Sequence, residues 1–522
     1  MVAFFKATAT TGDLSWPYDL DQFREIGMAQ SVLDGRFGSD HVYGGETIWY
    51  NPLTSLVTAG VAHLSGAPIS VVVTRAGPYL NLVAPISFYL LVLLLFGRAT
   101  ALAAGAAFLF GPTGNAPSWA AATYSPWLFS QNFAQSFFYL GLAAFIKAQR
   151  STSLFRYCVC GVLLGFTFLA HTAPAVLLGT IVVVASIASW LRRETRDSRS
   201  LIQSKQAIGL CGMFAIAFAI SIPFTRSILF HYHLRIQNPI PGNWVYAPLL
   251  KNNFAELALN YFSAFGLVAL VGWIAAMKRP SQNGRRVLLL SWLAICLVFI
   301  AIGELQQFSD LHLLFVPPHH FLFYLQAVED ILFGVGLVWL VELVSHRLLP
   351  KILANRGVAS ISTERLVLAL AVICFLAMEW PAYVRRFDFT TAREQAIGFE
   401  QRKEYLDAYR WILSNTKPTD IFLSLTGDLD LSIVGPADRK TLVTCQPEFS
   451  NPYVDWQSRS AIAAAIVDKL AHADHGAAAA LSENHVAYII SWPLSALALE
   501  QLPFLSKPFT EGNIVIYKVT RD

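Results

Sequence analysis

The sequence predicts a mainly α-helical, polytopic membrane protein with an amphipathic N-terminal loop and a small α/β domain at the C-terminus. Three observations lead to this fold class. The 522 residues are 55% hydrophobic and only 14% charged, whereas a soluble domain is about 25% charged. The mean hydropathy is positive, at +0.49. The apolar residues are gathered in long stretches, and the basic residues fall in alternate gaps between them.

Ten apolar stretches reach or approach the length of about 17 to 25 residues that a helix needs to cross a bilayer. They lie at 79–96, 99–112, 129–147, 156–170, 173–191, 206–224, 256–277, 287–303, 321–344 and 365–383. The sequence therefore predicts about ten spans.

The basic residues indicate which side of the membrane each gap occupies. One set of alternate gaps holds 17 Lys and Arg residues, and the other holds only Arg226, Arg235 and Lys251. Because Lys and Arg are retained in the cytoplasm during insertion, the sequence predicts three regions. They are an exported acidic head at 1–78, a transmembrane bundle at 79–383 and an exported α/β domain at 384–522. The basic residues serve topology, so no nucleic-acid partner is expected.

The segment from Met1 to Asp13 is too short and polar to be a signal peptide or a span. Export of the head therefore leads us to expect a further helix upstream. The alternative is that the stretch at 79–96 carries the head across.

Two aspartates stand at the start of a helical pattern in the head. The pattern begins at Asp21 and ends at Gly35, and Asp19 lies just before it. A carboxylate there is favoured by the helix dipole, so either aspartate can be a helix cap. A cap does not explain why the head holds so many acids beside aromatic side chains.

Glu46, Trp49 and Tyr50 continue this mixture of carboxylates and rings. Carboxylates accept hydrogen bonds from hydroxyl groups and rings stack on apolar faces, so the set suits a polyhydroxylated ligand. Glu46 can equally be an exposed loop acid.

Four cationic or imidazole side chains are candidates for binding an anion. Arg235 lies in a gap predicted to be exported, against the usual charge bias, and a phosphate or lipid headgroups would favour it there. His319 and His320 begin the ninth stretch, where a helix N-terminus favours anions, or they form an interfacial pair. His171 lies in the short turn between the fourth and fifth stretches, facing a cavity or ending a helix.

Several short motifs resemble those of the GT-C superfamily of membrane glycosyltransferases, which includes protein mannosyltransferases and the lipid A aminoarabinose transferase. The chain has Asp21-Gln22 where many members have Asp-Glu, Gly35 at the helix end, and Tyr50-Asn51-Pro52-Leu53 at the following turn. The order of parts, with many spans before an exported domain, is also similar.

The resemblance implies transfer of a hexose or pentose from a polyprenyl-phosphate donor to an exported glycan, lipid or protein acceptor, with inversion, in the inner membrane of the cell envelope. It implies Asp21 as general base, with Asp19 as second choice. Glu46, Trp49 and Tyr50 would bind substrate, and Arg235, His319, His320 and His171 would hold the lipid phosphate.

The chain departs from the family in one exported loop. Many members carry a second acidic motif there, often linked to a divalent metal, but Thr113 to Trp127 contains no Asp or Glu. A hard cation needs several oxygen ligands, so we expect no essential metal. Two other classes of function remain open: a multi-span lipid or solute transporter or flippase, and a non-catalytic assembly subunit.

The tail alternates helical and strand patterns, which predicts a small α/β core. Helices are expected at 404–416, 459–473 and 477–484, and strands at 420–425, 440–445, 485–491 and 513–519. No nucleotide-binding signature occurs. Gating or recognition of the acceptor is therefore a more natural role for the tail than chemistry.

Overall fold

The computed structural model describes most of the chain. The described residues are 1–112, 123–151, 153–191, 199–238, 262–278, 283–305, 316–345, 360–385, 390–492 and 499–520.

The chain is mainly helical, as predicted. The N-terminal half contains helices α1 (Val2–Thr11), α2 (Leu20–Leu33), α3 (Leu53–Ser65), α4 (Ile69–Leu80), α5 (Val83–Phe96), α6 (Arg98–Phe110), α7 (Ser130–Ser151), α8 (Leu154–Ala170), α9 (Thr172–Leu191) and α10 (Arg199–Arg226). The C-terminal half contains α11 (Ala264–Lys278), α12 (Asn283–Leu305), α13 (His319–Leu343), α14 (Ser360–Val384), α15 (Thr391–Glu400), α16 (Lys403–Asn415), α17 (Trp456–Ala471) and α18 (Gly476–Glu483).

Six helical segments among the described residues are long and apolar enough to cross a membrane, which makes the chain a multi-pass membrane protein. They are Ile69–Phe96, Thr172–Leu191, Ser204–His231, Gly284–Leu305, His319–Leu343 and Arg365–Val384. The expected count of about ten is not confirmed. Helices α6, α8 and α11 have 13, 17 and 15 described residues, fewer than the roughly 20 that a span usually needs. The longer α7 carries Gln131, Asn132 and Gln135 within its apolar sequence.

The chain divides into two compact units. The first contains Met1–Thr10, Gly77–Ser221 and Gly242–Ala392, and the second contains Thr11–Ala76, Ile222–Pro241 and Arg393–Asp522. These units are defined by packing. Membrane side instead defines the three regions expected from the sequence, 1–78, 79–383 and 384–522, and those regions stay a prediction.

Helices of the first unit pack at close range where glycines face each other. A Cβ atom added to Gly272 of α11 would lie 1.8 Å from the carbonyl oxygen of Leu332, and one on Gly336 of α13 would lie 2.0 Å from that of Val268. The two backbones are therefore in direct contact, as small residues permit between membrane helices.

The second unit contains a five-stranded sheet. Its strands are β1 (Ile421–Ser424), β2 (Lys440–Thr441), β3 (Val486–Ser491), β4 (Leu505–Glu511) and β5 (Ile514–Val519). The strand order is β2-β1-β3-β5-β4. Strand β1 pairs in parallel with β2 and β3, and β5 pairs antiparallel with β3 and β4.

Each face of this sheet contributes to a separate apolar core, because successive side chains of a strand point to opposite faces. Phe422 belongs to a core with Phe23 and Ile26 of α2 and with Tyr409 of α16. The next residue, Leu423, belongs to a core with residues of α17 and α18. The N-terminal head and the tail thus share one core, and the first turns of α2 pack into it.

Candidate active site

Asp19 is the N-cap residue of α2. Its backbone is extended, with φ −112° and ψ 143°, and its Oδ1 accepts a hydrogen bond from the backbone N–H of Asp21 at 2.8 Å. Burial, followed by the negative charge of Asp21, raises the pKa of Asp19 to about 7. The cap is therefore a carboxyl group that gains and loses its proton near neutral pH.

Asp21 lies in the first turn of α2 and forms an ion pair within the helix. Its Oδ1 is 2.9 Å from Nη1 of Arg24, and the Asp21 side chain is 34% exposed while that of Arg24 is 9% exposed. The guanidinium carbon of Arg24 lies 3.7 Å from the ring centroid of Tyr50. This cation–π contact fixes Arg24, and Arg24 orients one oxygen of Asp21.

A third carboxylate, Glu25, lies on the buried side of α2. Ser55 of α3 donates a hydrogen bond from Oγ to Oε2 of Glu25 at 2.6 Å, and the charge of Glu25 acts on both Arg24 and Tyr50. The negative charges of Asp21, Glu25 and Asp19 therefore all act on the single guanidinium of Arg24.

Trp49 and Tyr50 provide the aromatic part of this cluster. Their ring centroids are 5.6 Å apart, with the planes at 76°. Burial raises the pKa of Tyr50, so its hydroxyl stays protonated. The fold thus brings together, as one group, Asp19, Asp21, Trp49 and Tyr50.

Glu46 and Arg235, separated by 189 positions in the sequence, both line one cavity of about 730 Å³ in the second unit. The Glu46 oxygens lie 3.7 Å from Nε2 of His231 and 3.8 Å from Nη2 of Arg459. The next residue, Thr47, is fixed by Tyr232, whose hydroxyl donates to the Thr47 carbonyl at 2.6 Å and accepts from its N–H at 3.0 Å.

The three candidate histidines lie together in the first unit. The ring of His320 is 4.5 Å from that of His171 and 3.9 Å from that of His319, centroid to centroid. Gln131 of α7 contacts Nδ1 of His320 through its Oε1 and donates from Nε2 to the His320 carbonyl at 3.3 Å. His319 begins α13, so these imidazoles gather at a helix N-terminus, where anions are favoured.

No group of three or more His, Cys, Asp or Glu side chains among the described residues is arranged to hold a metal ion. Part of the loop without acidic residues, 113–122, lies outside the described residues. The absence of an essential metal stays a prediction.

The sequence did not predict Arg24, Glu25 or Ser55 as members of the site. Helical spacing could have indicated Arg24, since a residue three positions after Asp21 lies on the same helix face. Nothing local indicates the pairing of Glu25 with Ser55, because that contact depends on how α2 and α3 pack.

Comparison with known proteins identifies the fold. No protein-family model matches the chain, and no curated protein matches it. Solved structures do match, and they are GT-C superfamily glycosyltransferases. The resemblance predicted from the sequence is therefore confirmed at the level of the fold.

Three solved structures represent these similarities. ArnT from Cupriavidus metallidurans, bound to undecaprenyl phosphate, has a TM-score of 0.59 and 14% identity, over 99% of this chain and 96% of that one. The oligosaccharyltransferase AglB from Archaeoglobus fulgidus, with an inhibitory peptide and dolichol-phosphate, has a TM-score of 0.57 and 13% identity, over 94% and 68%. The arabinofuranosyltransferase AftD from Mycobacteria has a TM-score of 0.58 and 13% identity, over 100% of this chain and 39% of that one.

Proposed function

We propose that this chain is an integral-membrane glycosyltransferase that moves a sugar from a polyprenyl-phosphate donor to an exported glycan, lipid or protein acceptor, with inversion at the anomeric carbon. The fold supports this function, because structures with the same fold hold undecaprenyl phosphate in ArnT and dolichol-phosphate in AglB. The observation that carries the proposal is the partly exposed Asp21 carboxylate, oriented by Arg24 beside a second carboxyl group.

In the proposed reaction, an acceptor hydroxyl oxygen attacks the anomeric carbon while a carboxylate removes its proton. The bond between the anomeric carbon and the phosphate oxygen breaks, and the polyprenyl phosphate leaves with the electron pair. Asp21 is the proposed base. Its Oδ1 faces Arg24 at 2.9 Å, so the lone pairs of Oδ2 can receive the proton.

Asp19 is the second candidate for the base. A general base works best when its pKa is near the operating pH, and the pKa of Asp19 is about 7. The negative charge of Asp21 contributes to the raised pKa of Asp19. We propose that Asp21 contacts the acceptor hydroxyl and that Asp19 adjusts the charge beside it.

We propose that His171, His319 and His320 hold the leaving phosphate. Imidazole N–H groups donate hydrogen bonds, and the start of α13 adds a favourable dipole. Arg235, the other candidate, lines a cavity with the carboxylates Glu46, Asp455 and Glu483, which disfavour an anionic phosphate there.

The alternation of basic residues supports a further part of the proposal, that the head and the tail both lie on the exported side. The donor and the acceptor would then meet there.

Substitution of Asp21 by Asn tests the function. In nanodiscs with polyprenyl-phosphate sugars, Asp21→Asn should lower turnover about 10²- to 10⁴-fold, which is the usual contribution of general acid–base catalysis. Asp34→Asn, on the exposed end of the same helix, is the matched control and should keep activity within about twofold. The donor sugar to test is the polyprenyl-linked sugar that accumulates in cells lacking the protein.

A kinetic measurement tests the proposed role of the histidines. His320→Ala should raise the KM for the donor more than it changes the KM for the acceptor.

Two outcomes distinguish the proposed enzyme from its rivals. If a stable, inserted Asp21→Asn protein forms product at the wild-type rate, the catalytic proposal is wrong. Transbilayer movement of the labelled lipid by wild type, with no sugar transfer, would indicate a flippase instead.

A further inference from the structure

The cavity that holds Glu46 and Arg235 is suited to a ligand of its own. Its volume of about 730 Å³ lies within the range of about 300 to 1,000 Å³ usual for small-molecule sites. Every residue that lines it belongs to the second unit. Its walls come from the head, from the segment that follows α10, and from the tail near α17 and β3.

The side chains in the cavity combine acceptors, donors and rings. Glu46, Asp455 and Glu483 supply carboxylates, and Arg235 and Asn484 supply hydrogen-bond donors. A carbohydrate presents hydroxyl groups that need both kinds of partner, and it presents an apolar C–H face as well.

An aromatic pair supplies a surface for that face. The rings of Tyr232 and Tyr453 stack with centroids 4.6 Å apart and planes at 12°, and both residues line the cavity. Tyr453 is half-buried and Tyr232 is buried. The stack therefore presents a rigid ring to a ligand at low entropic cost.

Several polar groups of the cavity are available to a ligand. Among the described residues, none donates a hydrogen bond to the Glu46 carboxylate, whose nearest cations are 3.7 and 3.8 Å away. Likewise, within the described part of the chain the Arg235 guanidinium has no hydrogen-bonded or ionic partner. Distances beyond about 3.5 Å are long for direct hydrogen bonds, so these lone pairs and N–H groups can serve a ligand.

Two lining residues hold uncommon backbone conformations. His233 has φ 51° and His485 has φ 55°, in the left-handed region that L side chains rarely adopt. Such conformations are concentrated at ligand sites, where the surrounding structure enforces them.

The cavity lies close in the chain to a candidate membrane span. Arg235 lies four residues after His231, the last residue of that span, so at most about 14 Å of chain separates the two.

We propose that this cavity binds a neutral, polyhydroxylated acceptor glycan, with Glu46 and Arg235 binding its hydroxyls and Tyr453 stacking on a sugar ring. Three carboxylates beside two arginines leave no net positive charge for a phosphorylated ligand. The role as acceptor rests on the proposed glycosyltransferase function, whereas the binding of a glycan does not.

Binding to the full-length protein in nanodiscs tests the inference. The probes are the neutral trisaccharides maltotriose, mannotriose and arabinotriose, with glucose 1-phosphate and inorganic phosphate as comparators. At least one trisaccharide should bind. Glu46→Gln and Tyr453→Ala should each raise its Kd about tenfold or more, a loss typical of one good polar or stacking contact.

Matched control variants show whether a change in Kd comes from the cavity itself. Glu394→Gln changes an exposed glutamate of the same unit, and Arg410→Ala removes an exposed arginine of that unit. Both controls should keep Kd within about twofold. Glu46→Gln preserves the size of the side chain, so its result counts even if Tyr453→Ala fails to fold.

Three outcomes would overturn the inference: no trisaccharide bound at millimolar concentration, tighter binding of phosphate than of any trisaccharide, or an unchanged Kd in Glu46→Gln. Asp21→Asn should bind the trisaccharide as wild type does while its sugar transfer is about 10²- to 10⁴-fold slower. Binding without transfer in wild type would leave the glycan site standing and count against the proposed function. If Glu46→Gln transfers sugar with an unaltered KM for the acceptor, the proposed function stands and the result counts against the glycan site.

Discussion

The start of α2 gives two aspartates, two positions apart, different environments. Asp19 turns its carboxyl onto the helix backbone, where burial raises its pKa to about 7. Asp21 points one oxygen at Arg24 and remains 34% exposed. An acid–base site needs a group with a pKa near neutral, as Asp19 has, and an oriented, accessible oxygen, as Asp21 has.

The raised pKa of Asp19 predicts a pH-dependent stability. The unfolded carboxyl has a pKa near 3.8 and the folded one near 7, so the folded state holds the proton more tightly between these values. The stability from this group is complete below about pH 4 and is lost as the pH rises through 7. Asp19→Asn, which still caps the helix, should therefore melt about 2 to 5 °C above wild type at pH 8.

Melting in detergent at several pH values checks this prediction. The advantage of Asp19→Asn should shrink as the pH falls toward 4. Asp19→Ala is the control for the cap, because it should be about 1 kcal/mol less stable than Asp19→Asn at every pH. An equal difference between Asp19→Asn and wild type at pH 5 and pH 8 would contradict the assigned cause.

At the scale of elements, α11 and α13 depend on two glycines. The Cβ of an alanine at Gly336 would lie 2.0 Å from the carbonyl oxygen of Val268, and that atom belongs to a backbone that cannot rotate away. Gly336→Ala should therefore push the helices apart and lower stability by about 1 to 3 kcal/mol.

Gly212 of α10 is the matched control, since a Cβ there would meet nothing within 4 Å. Gly212→Ala should be neutral or slightly stabilising, because alanine favours a helix over glycine. Thermal denaturation followed by tryptophan fluorescence compares the two variants. Equal melting temperatures would show that the contact between α11 and α13 is not rigid.

The elements of the tail also show which signals a sequence carries. The predicted helix at 404–416 forms at Lys403–Asn415, and the strand at 485–491 forms at Val486–Ser491. Strand β4 (Leu505–Glu511) was not predicted. It lies at the edge of the sheet, contains Pro508, and is mostly exposed, so it lacks alternating apolar residues.

At the scale of the whole molecule, the proposed topology predicts the side on which single cysteines react. Two cysteine variants are made in a Cys445→Ser background. They are Lys507→Cys in the tail and Lys147→Cys near the end of α7, and each places an exposed thiol in a region predicted to lie on the opposite side from the other. A membrane-impermeant maleimide should label Lys507→Cys in intact cells, and should label Lys147→Cys only after permeabilisation.

The Cys445→Ser protein alone gives the background from the remaining cysteines. If Lys147→Cys is labelled in intact cells and Lys507→Cys is not, the topology is the inverse of the proposed one. The exported site would then have to be abandoned, although the fold would stand.

The sequence by itself determined the helical, multi-pass character of the chain and the helix that carries Asp19 and Asp21. These properties depend on composition and on spacings of a few residues, which are present before folding. Tertiary structure decided which distant groups meet: the three histidines, Glu25 with Ser55, and Glu46 with Arg459. Residues 413 positions apart, as the last pair is, carry no local signal of each other, because packing of the shared core alone brings them together.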